Sequence, residues 1–188
     1  MSGRRLIGVA VTVGAIAVVA VQFFAATGEA LERTRAASCR ALAPDPIPPS
    51  LLNVDAPDFE LSDAEGHKIS LRSQRGHPVL LNFWATWCPP CTEEMPSMET
   101  LAAGLEGSDV RTMAVSVDEN WATVKSFFAQ GTRLGVLLDP SKEVPKRYTT
   151  EKYPETFFID AQGRVRHYFI NKRDWSKPEA IACLESLR

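Results

Sequence analysis

Two observations predict an α/β domain with a mixed central sheet. The middle of the chain alternates apolar, strand-like runs with helical segments in the order β-α-β-α-β, which favours parallel strands joined by right-handed crossovers. Predicted hairpins before and after this stretch add antiparallel strands. The composition agrees, because the 188 residues are 45% hydrophobic and carry a net charge of −2. Such values exclude a disordered chain and give no sign of nucleic-acid binding.

Residues 1–28 are predicted to form a cytoplasmic stub and one transmembrane helix. Residues 6–27 are 22 consecutive uncharged residues, and a helix of that length spans about 33 Å, enough to cross the core of a bilayer. Arg4 and Arg5 precede the run and favour a cytoplasmic N-terminus. We therefore expect the rest of the chain on the periplasmic side of the inner membrane. A cleaved signal peptide is the alternative, but its apolar region usually has only about 7–15 residues.

Residues 29–55 are predicted to be an extracytoplasmic spacer. The segment is charged at first and then contains four prolines within six residues, at positions 44, 46, 48 and 49. Proline at this density excludes a helix or a central strand and favours an extended chain. The folded domain is therefore expected to occupy residues 56–188.

Seven strands are expected in this domain. Alternating or continuous apolar patterns predict them at 58–61, 68–71, 78–85, 110–117, 136–138, 156–159 and 165–170. Residues 78–85 are almost continuously apolar, as in a strand buried on both faces, and we place this strand at the centre of the sheet. The first two strands flank a turn sequence at 63–66 and the last two flank one at 160–163, so each pair is expected to form a hairpin.

Three helices are expected, at 88–104, at 121–130 and near the C-terminus. The first should break or bend at Pro96, because proline cannot donate a hydrogen bond to the carbonyl oxygen of Thr92. The last should begin with a capping box formed by Ser176 and Glu179. Its apolar face consists of Ile181, Leu184 and Leu187.

The sequence Cys88-Pro89-Pro90-Cys91 joins the central strand to the first helix. Two thiols at positions i and i+3 in a first helical turn can close a disulfide with little movement of the backbone. With Cys88 as the N-cap, its sulfur faces the free amides of the helix start, which favour a thiolate. We therefore expect Cys88 to be the attacking nucleophile and Cys91 to be the resolving thiol.

Pro89 and Pro90 indicate a reducing couple. Neither residue has an N–H, so among the first-turn amides only that of Cys91 remains to stabilise a Cys88 thiolate. A less stabilised dithiolate gives a lower reduction potential. The alternatives for the motif are a structural disulfide or half of a metal site. Zinc is disfavoured because the sequence contains no second Cys-x-x-Cys and no His-x-His pair, and we expect neither a metal nor another cofactor.

Residues 83–91 (FWATWCPPC) and 153–160 (YPETFFID) are similar to the thioredoxin superfamily, in particular to its membrane-anchored TlpA/ResA/DsbE-type branch. The resemblance covers about residues 56–187 and implies a thioredoxin-like fold with a helix-strand insertion between residues 117 and 136. It implies a thiol-disulfide oxidoreductase that reduces protein disulfides. The expected partners are apocytochrome c or an oxidase-assembly factor as client, and a transmembrane electron donor. Pro154 matches the family's cis-proline, which faces the two cysteines and shapes substrate docking.

Glu94 matches the acidic residue that this branch carries one turn beyond the second cysteine. The spacing supports the match, because Cys91 and Glu94 share a helix face whereas Glu93 points away. Burial beside a thiol would raise the pKa of Glu94 and let it exchange a proton with Cys91; a solvated surface carboxylate is the alternative. Thioredoxin itself has a buried aspartate six residues before the first cysteine. That position is Asn82 here, which cannot transfer a proton in that way.

The predicted substrate-binding residues flank the cysteines. Trp87, together with Pro89 and Pro90, could form an apolar docking surface for partners. Tyr153 is bulkier than the small or β-branched residue expected before Pro154. This indicates either a different substrate preference or simple packing beside the turn.

Two cysteines remain outside the motif, Cys39 in the spacer and Cys183 near the apolar face of the last helix. In an oxidising compartment an exposed Cys39 would tend to find a partner, so one expectation is a structural disulfide that joins Cys39 to Cys183. The other is a buried free thiol at Cys183.

Two other functions compete with the reductase. Residues 56–59 (APDF) suggest a peroxiredoxin-like thiol peroxidase, but the pattern Pro-x-x-x-Thr/Ser-x-x-Cys is absent at both Cys88 and Cys91. A non-enzymatic copper-delivery module of the same fold usually spaces its cysteines by three residues and adds a distal histidine. Here two residues separate the cysteines, and the sequence has no histidine close to Pro154.

Overall fold

A computed structural model of the chain describes residues 22, 26–28, 30, 33–34 and 36–188. The predicted membrane anchor, residues 6–27, lies almost entirely outside these residues. Within the described part, no helix combines the length and the apolar character needed to cross a membrane. The chain divides into two compact units, Met1–Ala37 and Ser38–Arg188, and the second contains the sheet and both disulfides.

The Ser38–Arg188 unit is built on one seven-stranded sheet. The strands are β1 (Glu60–Ser62), β2 (Lys68–Ser70), β3 (Val79–Trp84), β4 (Arg111–Ser116), β5 (Gly135–Leu138), β6 (Glu155–Ile159) and β7 (Val165–Ile170). Their order across the sheet is β2-β1-β5-β4-β3-β6-β7. β3, β4 and β5 are parallel, whereas β6 pairs antiparallel with both β3 and β7. The predicted mixed sheet and both predicted hairpins are therefore confirmed.

Four helices accompany the sheet: α1 (Pro89–Gly104), α2 (Trp121–Phe127), α3 (Glu143–Arg147) and α4 (Pro178–Glu185). All six residues of β3 are buried, because alternate side chains point to opposite faces and both faces are covered. Trp84 and Phe158 belong to one apolar cluster, together with Cys88 and Cys91. Phe83 belongs to the cluster on the other face. The two cysteines thus lie at the end of a rigid, buried strand.

Two helices differ from their predicted form. α1 continues through Pro96, so the predicted break does not occur; buried residues lie on both sides of the proline, and their packing keeps both halves helical. α2 ends at Phe127 and not at residue 130. The rings of Phe127 and Phe128 both pack on Trp84, with centroids 5.3 and 5.4 Å from its ring. Neighbouring residues of a continuing helix point about 100° apart, so this shared contact favours the end of the helix.

The C-terminal half shows two further differences. α3 is absent from the sequence prediction, and it is stabilised by a hydrogen bond from the Val144 N–H to the Asp139 carboxylate (2.8 Å). The capping box predicted for α4 is wrong, since the N-cap is Lys177 and has no side-chain cap. Ser176 donates its hydroxyl hydrogen to Asp174 instead (2.5 Å).

Part of the predicted spacer lies against the domain. Leu51 is only 1% exposed and belongs to the second apolar cluster. Isolated backbone bridges pair Asp45 with Tyr168 and Asp55 with Arg164. The compact unit therefore includes residues before 56, and the domain boundary at that position stays a prediction.

Candidate active site

Cys88 and Cys91 form a disulfide where β3 leads into α1. Cys88 is the N-cap of the helix, and its Sγ accepts a hydrogen bond from the Cys91 N–H (3.3 Å). Cys88 is 6% exposed and Cys91 is completely buried. A partner protein can therefore approach the sulfur of Cys88 but not that of Cys91.

The turn before the cysteines is held by a buried carboxylate that follows β4. Asp118 accepts hydrogen bonds from the Thr86 N–H (3.0 Å) and the Thr86 hydroxyl (2.7 Å). It also accepts one from the Ser116 hydroxyl (2.7 Å). These contacts fix the chain that carries Trp87. No sequence pattern predicts the role of Asp118, because its contact with Thr86 joins residues 32 positions apart.

A cis-proline loop faces the disulfide. The peptide bond between Tyr153 and Pro154 is cis, and the Tyr153 carbonyl oxygen lies 3.4 Å from the Sγ of Cys88. The Tyr153 ring packs edge-on against Trp87, with 6.0 Å between centroids. Trp87 is 58% exposed, and the ammonium group of Lys142 lies 5.5 Å from its ring centroid. An exposed aromatic surface thus borders the more accessible sulfur.

The two prolines of the motif occupy the first turn of α1. Pro89 is exposed and Pro90 is half-buried. The structure therefore brings together the predicted docking residues Trp87, Tyr153 and Pro154 beside Cys88. Their role in binding substrate stays a prediction.

Glu94 lies on α1, one turn beyond Cys91, and is 1% exposed. Its Oε1 accepts hydrogen bonds from the Trp175 indole N–H (2.5 Å) and the Arg173 backbone N–H (2.9 Å). Burial raises the pKa of Glu94 to about 7, against the opposing influence of these hydrogen bonds. A carboxyl with this pKa gains and loses protons near neutral pH, as a general acid or base must.

Asn82 occupies the position where thioredoxin has an aspartate, and it is completely buried. Its amide group donates to the Thr156 hydroxyl (2.9 Å), and the Oε2 of Glu94 lies 3.4 Å from the same nitrogen. Asn82 therefore orients Glu94 without exchanging a proton. Glu93, by contrast, is exposed and forms an ion pair with Lys172.

Arg173 and Trp175 were not among the predicted site residues. They approach Glu94 from the connection between β7 and α4, 79 and 81 residues away in the sequence. A weak signal existed, since a buried carboxylate requires donors and a tryptophan indole has one. No sequence pattern connects such distant positions.

Cys39 and Cys183 form the second disulfide, with both residues buried. Among the described residues, two groups of possible metal ligands lie close together, and neither contains Cys88 or Cys91. The first consists of Cys39, His167 and Cys183, and the sulfurs of its two cysteines are bonded to each other in the disulfide. The second, in the turn between β1 and β2, consists of Asp63, Glu65 and His67.

Comparison with known proteins gives one consistent result. The model of the AhpC/TSA family matches residues 52–168. The thiol-disulfide oxidoreductase ResA of Geobacillus kaustophilus is 39% identical over 134 residues, covering 71% of this chain and 76% of the relative. ResA of Bacillus thuringiensis is 37% identical over 120 residues, covering 63% and 69%. The solved structure of a thiol:disulfide interchange protein of the thioredoxin family from Chlorobium tepidum superposes with a TM-score of 0.60 at 26% identity, covering 69% and 93%.

Proposed function

The chain belongs to the AhpC/TSA family of thioredoxin-like proteins and is a thiol-disulfide oxidoreductase, and we propose that it reduces disulfides of other proteins outside the cytoplasm. In the reduced protein, the Cys88 thiolate attacks one sulfur of the client disulfide, and the other sulfur leaves as a thiolate. Glu94 then accepts the Cys91 proton. The Cys91 thiolate attacks the Cys88 sulfur and releases the second client sulfur. The client gains two electrons, and the enzyme is left with its Cys88–Cys91 disulfide.

One observation supports the proposal that the protein acts as a reductant and not as an oxidant. The Sγ of Cys88 accepts a single hydrogen bond from the helix start, donated by the Cys91 N–H at 3.3 Å. An N-cap side chain normally accepts from the second or third helical residue, and here the second is Pro90, which has no N–H. A weakly stabilised thiolate makes the dithiol a better electron donor.

The test is to restore the missing donor. Pro90→Ala returns an N–H at the second helical position, so the pKa of Cys88 should fall and the reduction potential should rise. Pro89→Ala is the matched control, because the first helical N–H does not point at the N-cap side chain. Equilibration with glutathione should place the wild type nearer to about −270 mV than to about −120 mV.

Three results would contradict the proposal. A wild-type potential in the oxidising range would remove the reason for preferring reduction. Equal changes in the two alanine variants would show that the hydrogen bond to Cys88 does not set the potential. Consumption of hydrogen peroxide at rates above those for protein disulfides would favour the thiol peroxidase, although the cysteines lack its flanking pattern.

The location and the clients belong to the same proposal. The uncharged run at 6–27 behind Arg4 and Arg5 supports a single-pass anchor with the domain in the periplasm. A reporter fused after Arg188 should be active only outside the cytoplasm; cytoplasmic activity would refute this placement. Electrons would then have to come from a transmembrane donor.

The clients can be captured by blocking the second half of the reaction. Cys91→Ser should leave the mixed disulfide on Cys88 intact, because the resolving thiol is missing. Apocytochrome c and oxidase-assembly factors are the expected captured proteins. Cys88→Ser is the control and should capture neither, since Cys91 is buried.

A further inference from the structure

Residues 39–55, here called the strap, are fastened to the domain at both ends. The Cys39–Cys183 disulfide holds the first end. The bridge between Asp55 and Arg164 holds the other. Between them, Asp45 makes a third attachment, through a backbone bridge to Tyr168 and an ion pair with Arg173.

Asp45 binds the end of β7 and the residues beyond it. Its backbone N–H donates to the Tyr168 carbonyl oxygen (2.7 Å). Its carboxylate Oδ2 accepts from the Ile170 N–H (2.8 Å) and from the Arg173 guanidinium (3.0 Å). Both side chains of the ion pair are about 70% covered, at 29% and 31% exposure. One carboxylate therefore fixes both the exit from β7 and the side chain of Arg173.

The segment that Asp45 fixes is the β7–α4 loop, residues 171–177, and this loop contacts the active site twice. The Asn171 N–H donates to the Pro154 carbonyl oxygen (3.0 Å), next to the cis peptide bond. Arg173 and Trp175 donate to Glu94, as described above. The β7–α4 loop therefore connects the strap to the active site.

We propose that Asp45 is a positioning residue for the resolving half of the reaction, because it fixes the β7–α4 loop and keeps the Arg173 and Trp175 N–H groups directed at Glu94. The proposal deepens the function given above and rests on it. The strap, which the sequence pattern marks only as a spacer, would then help to set the acid–base behaviour of the site.

The direction of the effect follows from the hydrogen bonds. N–H donors stabilise the ionised carboxylate, so displacing them would raise the pKa of Glu94 above its present value. Less Glu94 would then be ionised at neutral pH and ready to accept the Cys91 proton. The elements around Glu94 also contribute Asn82 and Thr156, which do not titrate. Glu94 also lines a cavity of about 360 Å³ between α1 and the loop. The charged residues that line this cavity with it are Glu93, Lys172, Arg173 and Asp174.

Asp45→Ala tests the proposal. A ¹³C-carboxyl NMR titration of Glu94 should show an upward pKa shift of about half a unit to one unit. The ionised fraction at pH 7 then falls about two- to fivefold, and the rate of the resolving step should fall with it. Asp55→Ala is the matched control, because Asp55 is also a bridged strap carboxylate paired with an arginine, Arg75, but contacts neither the loop nor Glu94.

A second variant covers the case in which Asp45→Ala does not fold. Asp45→Asn keeps an oxygen that can accept from the Ile170 N–H but lacks the charge that binds Arg173, so a smaller upward shift is expected. An unchanged Glu94 pKa in the folded variant, or an equal shift in Asp55→Ala, would overturn the proposal. The titration needs no client, so a wild-type protein without reductase activity would refute the proposed function and not this positioning role.

Discussion

At the scale of single residues, Glu94 is the group that most clearly separates this site from a simple pair of cysteines. It is buried between α1 and the β7–α4 loop, and its carboxylate oxygens accept from three groups on two segments, β3 and that loop. A carboxyl in such a place would be costly if its only role were structural, because burial disfavours its charge. Its pKa of about 7 suits it to exchange protons with a thiol near neutral pH.

We expect Glu94→Gln to slow turnover of a protein disulfide about tenfold or more, within the usual range for loss of a general acid or base. The amide keeps the shape and the hydrogen bonds to Oε1 but cannot accept the Cys91 proton. Single-turnover kinetics from pH 5 to pH 9 should show a slower resolving step and a flattened pH profile. Glu93→Gln is the control, because Glu93 is exposed and pairs with Lys172; equal losses in both variants would argue against the role.

The same residue should make stability depend on pH. The pKa of Glu94 is about 7 in the folded protein, whereas an unperturbed glutamate has a pKa of 4.5. Between these two pH values the folded state therefore binds more protons than the unfolded state. The free energy of unfolding therefore falls as pH rises through this window, by roughly 3 kcal/mol in total. Urea unfolding of the oxidised protein at pH 4.5 and pH 8 should show this loss in the wild type and in Glu93→Gln. Glu94→Gln should lack it, and a loss of the same size there would assign the effect to another group.

At the scale of elements, α1 keeps its helical form although Pro96 removes one of its hydrogen bonds. The buried residues Met95 and Met98 lie on either side of the proline, with 2% and 0% exposure. Their packing compensates for the missing N–H. The proline itself is exposed, so its replacement would leave the core unchanged.

Pro96→Ala should therefore stabilise the folded protein by about 1–3 kcal/mol, because interior proline costs a helix roughly 3 kcal/mol. Chemical denaturation of the oxidised protein measures the change. Pro178→Ala is the matched control, since Pro178 is the first residue of α4, where no helical hydrogen bond is lost. Similar gains in both variants would mean that the unfolded chain, not α1, is responsible.

The helices and strands also show which parts of the fold the sequence pattern can predict. β3 and the start of α1 were predictable because a continuous apolar run and a cysteine at the N-cap are local signals. α3 was not, because it has five residues and depends on Asp139 for a cap. Arg173 and Trp175 were missed for a related reason, since only the folded sheet brings them to Glu94. Local pattern thus predicts the cysteines and their carboxylate, but not the residues that orient that carboxylate.

At the scale of the whole molecule, the Cys39–Cys183 disulfide joins residues 144 positions apart. Closing so long a loop restricts the unfolded chain strongly, so the double variant Cys39→Ser/Cys183→Ser should lose about 2–4 kcal/mol of stability. Calorimetry would show this as a lower melting temperature. The control is Cys88→Ser/Cys91→Ser, which opens a loop of sequence separation 3 and should lose far less. Equal losses would show that the long disulfide adds no special stability.

The backbone bridges of the strap also affect how copies of the protein can associate. β7 is the last strand of the sheet on its side, and an uncovered edge strand is a template for pairing with another chain. Asp45 pairs with Tyr168 within β7, and Asp55 pairs with Arg164 immediately before the strand. A second copy therefore cannot extend the sheet continuously along this edge, and the chain's own N-terminal segment protects it against aggregation through strand addition.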